Sequence, residues 1–189
     1  LFLFVVQAVS YEFRDKAGNL LGKRTYDLFL FLNGTLGTLL IGVAVGTLFT
    51  GGAYYMDKVN MANILSPMVS RWANDWKGIE CIANPANLLL GAVVLFAART
   101  LGFYYAICNT PAQFGNFTAK AKRHFTISSL VFVVVFVAFL AVLMLMKGYA
   151  VDPATGNITE VEYKYFHNFI TLVWPLVMLL AGVVLVLYG

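Results

Sequence analysis

Two histidines are the first side chains that could bind a haem or a metal. His124 and His167 begin successive apolar runs, so they lie roughly 30 Å apart if those runs cross a bilayer. That separation excludes them as the two axial ligands of one haem. A pairing of His167 with Met144 or Met146 stays open, although an interfacial aromatic belt also explains this histidine. We therefore expect this chain to bind no metal and no cofactor.

Two carboxylates, Glu12 and Asp27, flank a short basic segment beside an apolar run. A carboxylate at a membrane boundary can take up a proton and pass it on, so both are candidates for a proton path. The alternative for Asp27 is structural, because an aspartate directly before the run 28–50 suits the N-cap of a helix. Both interpretations of Asp27 stay open.

Arg99 is the one charged residue within the long apolar runs. It lies nine residues, about 14 Å, from the end of its run, and an ionisable side chain at such depth ordinarily has a partner. Since we expect no acidic residue of this chain at that level, the partner should belong to missing sequence or another subunit. A snorkelling arginine on a lipid-facing helix is the alternative.

Three glycines, Gly34, Gly42 and Gly46, recur at multiples of four residues and share one helix face. Gly42 and Gly46 form a G-x-x-x-G pair, which allows another helix to approach closely. We expect a packing face here, while small residues that merely fit the membrane are the alternative.

The amino-acid composition indicates the class of protein in which these residues lie. Of 189 residues, 60% are hydrophobic and 12% charged, whereas soluble domains are about 45–50% apolar and about 25% charged. A soluble globule and a disordered chain are both excluded. The net charge of +4 does not indicate nucleic-acid binding, because the basic residues lie between apolar runs rather than in one patch.

Four runs of 23 residues, each about 34 Å long as a helix, are sufficient to cross a bilayer. Together with a truncated first helix they predict an all-α polytopic transmembrane bundle over residues 1–189. We expect the chain to be cut inside its first and last helices, because it begins and ends in apolar residues. The predicted helices are 1–8, 28–50, 86–108, 124–146 and 166–188.

The basic residues indicate the orientation. Loops 9–27 and 109–123 hold seven basic and three acidic residues, whereas the other two loops hold five and six. The first pair is therefore predicted to be cytoplasmic. In the long outer loop, apolar residues and two tryptophans recur at helical spacing, which predicts an interfacial amphipathic helix over 60–82. An irregular loop is the alternative.

The order of several motifs resembles subunit II of the cytochrome bd quinol oxidases. These motifs are an E-F-R-x-K-like loop, an aromatic–Asp pair and a G-V-A-x-G helix. The matching residues are Glu12-Phe13-Arg14-Asp15-Lys16, Tyr26-Asp27 and Gly42-Val43-Ala44-Val45-Gly46. The resemblance is clearest over 11–51 and weaker to about 125.

The resemblance implies a respiratory enzyme complex in the bacterial cytoplasmic (inner) membrane. A partner, subunit I, carries haem b and haem d, oxidises quinol and reduces O₂ to water with protons from the cytoplasm, which generates a proton-motive force. Subunit II supports that partner and contributes to the proton path, and a small third subunit stays open. Quinone and the lipid membrane are the other partners.

This chain departs from the family pattern at several positions. Gln7 stands where many members have Arg, and Tyr26 where Trp is usual. Asp27 matches a family aspartate, whereas Arg99 matches no family site. A secondary transporter or permease segment is one rival, which Arg99 fits, although the helices lack paired Gly/Pro interruptions at mid-depth. A purely structural membrane subunit is the other rival.

Overall fold

The computed structural model describes residues 1–57, 69–111, 114–152 and 156–188. The chain divides into two compact units, Leu1–Phe136 and Val137–Gly189. The first unit comprises α1 (Phe2–Phe13), α2 (Lys23–Leu32), a π-helical turn (Asn33–Gly37), α3 (Thr38–Thr50), strands β1 (Tyr54–Asp57) and β2 (Val69–Trp72), a 3-10 turn (Ile79–Ala83), α4 (Pro85–Asn109) and most of α5 (Gly115–Leu145). The second comprises the end of α5, the antiparallel strands β3 (Gly148–Val151) and β4 (Ile158–Val161), α6 (Lys164–Thr171) and α7 (Val173–Tyr188).

Within the described residues, three helical segments are long and apolar enough to cross a membrane: Lys23–Thr50, Pro85–Asn109 and Gly115–Leu145. The pair α6 and α7 gives a fourth span if it is counted as one. The chain is therefore mostly helical, and the predicted all-α polytopic class is confirmed.

Two helices begin well before the apolar runs that predicted them. Helix α2 starts at Lys23, and α5 starts at Gly115. The residues added are mostly basic, small or hydroxylated ones that a helix tolerates, so each helix extends beyond the run that lipid would cover. Asp27 consequently lies in the second turn of α2, and the N-cap is Gly22, at φ 76°. The N-cap interpretation of Asp27 is wrong.

The predicted last helix, 166–188, is broken between α6 and α7, whose axes differ by 96°. Leu172 ends α6 with φ −105° and ψ 90°. Pro175 follows three residues later and has no N–H for the Thr171 carbonyl, with which its ring would clash in a continuous helix. In the first turn of α7 the same proline is tolerated.

The structure corrects the amphipathic helix predicted for 60–82. Residues 60–68 lie outside the described part of the chain, and 69–82 contain β2 and most of the 3-10 turn. Strand β2 pairs antiparallel with β1, placing Tyr54 opposite Trp72 and Tyr55 opposite Arg71. Lys77 (φ 51°) and Gly78 (φ 97°) then have left-handed backbone, which an α-helix cannot accommodate.

Buried side chains of the first unit lie mainly at two helix contacts. Ser10, Tyr26 and Asn33 are buried where α1 meets α2 and the π-helical turn. Val43 and Leu90 are buried where α3 packs on α4. These two contacts position the candidate functional residues of the first unit.

Candidate functional site

Four charged side chains connect the end of α1 with α2, and we call them the Arg14 network. Arg14 donates from Nε to Asp27 Oδ1 at 2.6 Å and from Nη1 to Asp15 Oδ2 at 3.2 Å. Lys23 donates from Nζ to Asp15 Oδ1 at 2.8 Å. The predicted candidate Asp27 is therefore ion-paired with the residue that follows α1.

The turn between these helices holds the network in place. Asn19 donates from its side-chain amide to the Arg14 carbonyl at 3.1 Å, and its side-chain oxygen accepts from the Gly22 N–H. Gly18 and Gly22 have φ of 85° and 76°, a backbone conformation that suits glycine. The chain thereby reverses within nine residues and brings Asp27 back to Arg14.

The Arg14 network is accessible to water. The Asp27 and Asp15 side chains are 48% and 66% exposed. A hydrogen bond from Lys23 holds the pKa of Asp15 below its usual value, and the hydrogen bond to Asp27 raises the pKa of Arg14. Exposed carboxylates held beside basic groups can exchange protons with water, which is the chemistry that a proton path needs at its surface.

Glu12 lies in a separate ion pair with Lys16, one helical turn further on. The hydrogen bond from Lys16 and then its charge lower the pKa of Glu12. In the described part of the chain no hydrogen bond joins Glu12 to the Arg14 network. Both predicted carboxylates therefore lie near the turn that joins α1 and α2, but they belong to different ion pairs.

A polar contact, which the sequence analysis missed, lies deeper between the same helices. Asn33 in the π-helical turn donates from its side-chain amide to Gln7 Oε1 at 2.5 Å. Ser10 is fully buried and donates to the Val6 carbonyl at 2.7 Å. Gln7, Ser10 and Arg14 recur every three or four residues, so this spacing could have identified a polar face of α1.

Of the three glycines predicted to form a packing face, Gly42 and Gly46 lie on α3 and contact α4, whereas Gly34 lies in the π-helical turn. A Cβ on Gly42 would lie 2.6 Å from the Gly91 Cα, and one on Gly46 would lie 2.7 Å from Asn87 Oδ1. A Cβ on Gly34 would meet nothing within 4 Å. Within this chain, therefore, Gly42 and Gly46 are brought against another helix and Gly34 is not.

Asn87 is the polar centre of this contact and is only 1% exposed. It accepts from Thr50 Oγ1 at 2.9 Å and donates to the Cys81 carbonyl at 3.1 Å. Neither Asn87 nor Gly91 was predicted from the sequence. Their four-residue spacing near the start of an apolar run was the available signal.

Arg99 lies on an exposed part of α4. Its guanidinium carbon is 5.4 Å from the centre of the Phe103 ring, which stacks on His124 at 5.6 Å. Among the residues described, no acidic side chain forms an ion pair with Arg99. This charge was predicted from the sequence, but its contact with the Phe103 ring was not.

The remaining candidates for ligation are dispersed. The His167 ring meets Phe166 edge-on at 6.2 Å, and Cys81 and Cys108 are free thiols. No group of three or more His, Cys, Asp or Glu side chains that could hold a metal ion occurs in the described ranges.

Comparison with known proteins gives one family. The family model described as cytochrome bd terminal oxidase subunit II matches residues 1–189. No curated protein matches the chain.

Proposed function

Because the chain belongs to the cytochrome bd terminal oxidase subunit II family, we propose that it supports a haem-bearing subunit I and admits protons to it from the cytoplasm. The family is a component of a terminal quinol oxidase, an enzyme of respiratory electron transport, and this member is an integral membrane protein. We assign it to the bacterial inner membrane, with loops 9–27 and 109–123 on the cytoplasmic side.

The observation that carries the proton-path proposal is the Arg14–Asp27 ion pair. It places a half-exposed carboxylate at the base of two helices, on the side that the charge distribution assigns to the cytoplasm. Arg14 keeps that carboxylate in one position without removing it from water. Glu12, paired with Lys16 on the same turn, is a second proton acceptor on this surface.

Haem b and haem d belong to subunit I in this proposal, and quinol is the substrate of the complex. This assignment rests on the family, which is a component of a cytochrome bd terminal oxidase.

We also propose that Arg99 faces subunit I. A guanidinium that is exposed in the isolated chain, within a span of α4, needs a partner once lipid or protein surrounds it. Phe103 stabilises the charge on one side, and a carboxylate of subunit I would complete the pair.

The glycines have a role within the chain rather than toward subunit I, because Gly42 and Gly46 hold α3 against α4.

The proton path is tested with Asp27→Asn in the full oxidase complex. Removal of the carboxyl group should lower quinol-dependent O₂ consumption by about 100-fold, the lower end of the range that a positioned proton-transfer group contributes. Asp27→Glu, which retains a titrating group, should recover most of the rate. Haem absorbance of the purified complex reports whether assembly is intact.

Asp75→Asn is the matched control, because Asp75 is an exposed aspartate of the outer loop. This variant should turn over like the wild type. An Asp27→Asn complex with full haem content and an unchanged rate would exclude the proton path and favour the purely structural subunit.

A further inference from the structure

A groove of about 330 Å³ lies on α3 in the first unit, beneath the segment that follows β2. Its floor is formed by Leu40, Val43, Ala44 and Thr47, whose i, i+3, i+4, i+7 spacing places them on one stripe of the helix. Thr47 donates its hydroxyl to the Ala44 carbonyl at 2.7 Å, so the floor presents almost only carbon to a ligand.

The groove has the length of one membrane leaflet. Leu40 lies ten residues before the end of α3 at Thr50, which is about 15 Å along the helix. A bilayer has a hydrocarbon core about 30 Å thick. Because Lys23–Thr50 is a candidate membrane span, the groove extends from near mid-membrane to one surface.

The wall at that surface is built from Trp72 and two residues with left-handed backbone. Lys77 has φ 51° and Gly78 has φ 97°. A Cβ on Gly78 would lie 3.1 Å from the Trp72 ring, so the ring packs directly on this turn. Tryptophan is a residue favoured at the membrane–water boundary.

Among the residues that the structure describes, Lys77 is the one charged side chain that lines the groove. The two nearest carboxylates along the chain, Asp75 and Glu80, are not part of the lining, and Glu80 accepts from the Gly78 N–H at 2.9 Å. The groove therefore combines an apolar lining about as long as one membrane leaflet with a cation at the end near the membrane surface. This arrangement is complementary to an amphiphile with a negative headgroup.

We propose that this groove binds an anionic phospholipid, with one acyl chain along α3 and the phosphate paired with Lys77. The charge favours this occupant over a quinone, whose headgroup is neutral and would leave the ammonium unpaired. The proposal is independent of the proton path, since Asp27 lies at the opposite end of the Lys23–Thr50 span.

Native mass spectrometry of the intact, detergent-purified oxidase complex tests the site. The wild type, prepared with phosphatidylglycerol, should carry a bound phosphatidylglycerol that Lys77→Gln loses and Lys77→Arg retains. Ala44→Phe should also lose it, because the ring fills the floor at an exposed position without changing charge. Arg71→Gln is the control, because Arg71 lies on β2 and outside the lining.

Three outcomes would overturn the proposal. The first is the same amount of bound phosphatidylglycerol in the wild type, Lys77→Gln and Ala44→Phe. The second is that Arg71→Gln also loses the lipid. The third is that the molecule displaced by Ala44→Phe is a quinone. Haem content measured on the same samples confirms that each variant has assembled.

Discussion

Gly42 and Gly91 meet backbone to backbone across α3 and α4. A Cβ on Gly42 would lie 2.6 Å from the Gly91 Cα, and one on Gly91 would lie 2.8 Å from the Leu39 carbonyl oxygen. Neither neighbour is a side chain that could rotate away. The contact therefore depends on the absence of a side chain on both helices.

Gly42→Ala should destabilise the assembled complex. Forcing a methyl group into a packed contact costs about 1–3 kcal/mol, and such a loss lowers Tm by roughly 2–10 °C. Gly34→Ala is the matched control in the same membrane span, because its Cβ would meet nothing within 4 Å. Thermal unfolding of the complex measures both; equal Tm values would contradict the packing role of Gly42.

The Asp15–Lys23 ion pair should make the turn 14–22 sensitive to acid. Because the folded pKa of Asp15 lies below its usual value, which is about 3.9, the pair stabilises the turn fully above that value. The contribution is lost as the pH falls through the lower, folded pKa. Hydrogen exchange of the turn, corrected for the intrinsic pH dependence, should accelerate below about pH 4.

Asp15→Asn should abolish that pH dependence, because no titrating group is left to pair with Lys23. An acceleration of the same size in this variant would assign it to a different carboxylate of the loop.

Arg99→Leu should weaken the association with subunit I. If the guanidinium is paired with a buried carboxylate, removing it leaves that carboxylate unpaired at a cost of about 3–5 kcal/mol. Arg99→Lys keeps a charge and should retain more of the partner. The ratio of haem to this chain after affinity purification measures the effect. A ratio unchanged in Arg99→Leu would instead indicate an arginine that faces lipid.

Pro175→Ala should straighten the bend between α6 and α7, because the alanine N–H can bond to the Thr171 carbonyl. Spin labels at positions 166 and 185 would then separate from roughly 20 Å to about 28 Å, on a helical rise of 1.5 Å per residue. Double electron–electron resonance of the complex, with Cys81 and Cys108 replaced, measures this distance. Val173→Ala, which retains the proline, should leave it unchanged.

Hydropathy predicted the membrane-spanning class because the cost of placing charge in hydrocarbon acts on each residue separately. For the same reason hydropathy cannot predict helix boundaries, since it indicates which residues lie in lipid and not where a helix begins. Lys23 and Gly115 therefore begin helices inside segments that composition assigned to loops.

The sequence by itself determined which residues are chemically unusual: Asp27, Glu12, Arg99 and the glycines of the Lys23–Thr50 span. Only the tertiary structure decided their neighbours, because Arg14 and Asp27 are thirteen residues apart and Gly42 and Gly91 are on different helices. Such contacts arise from turn geometry and from how closely two backbones can approach, and neither is encoded in the periodicity of a single segment.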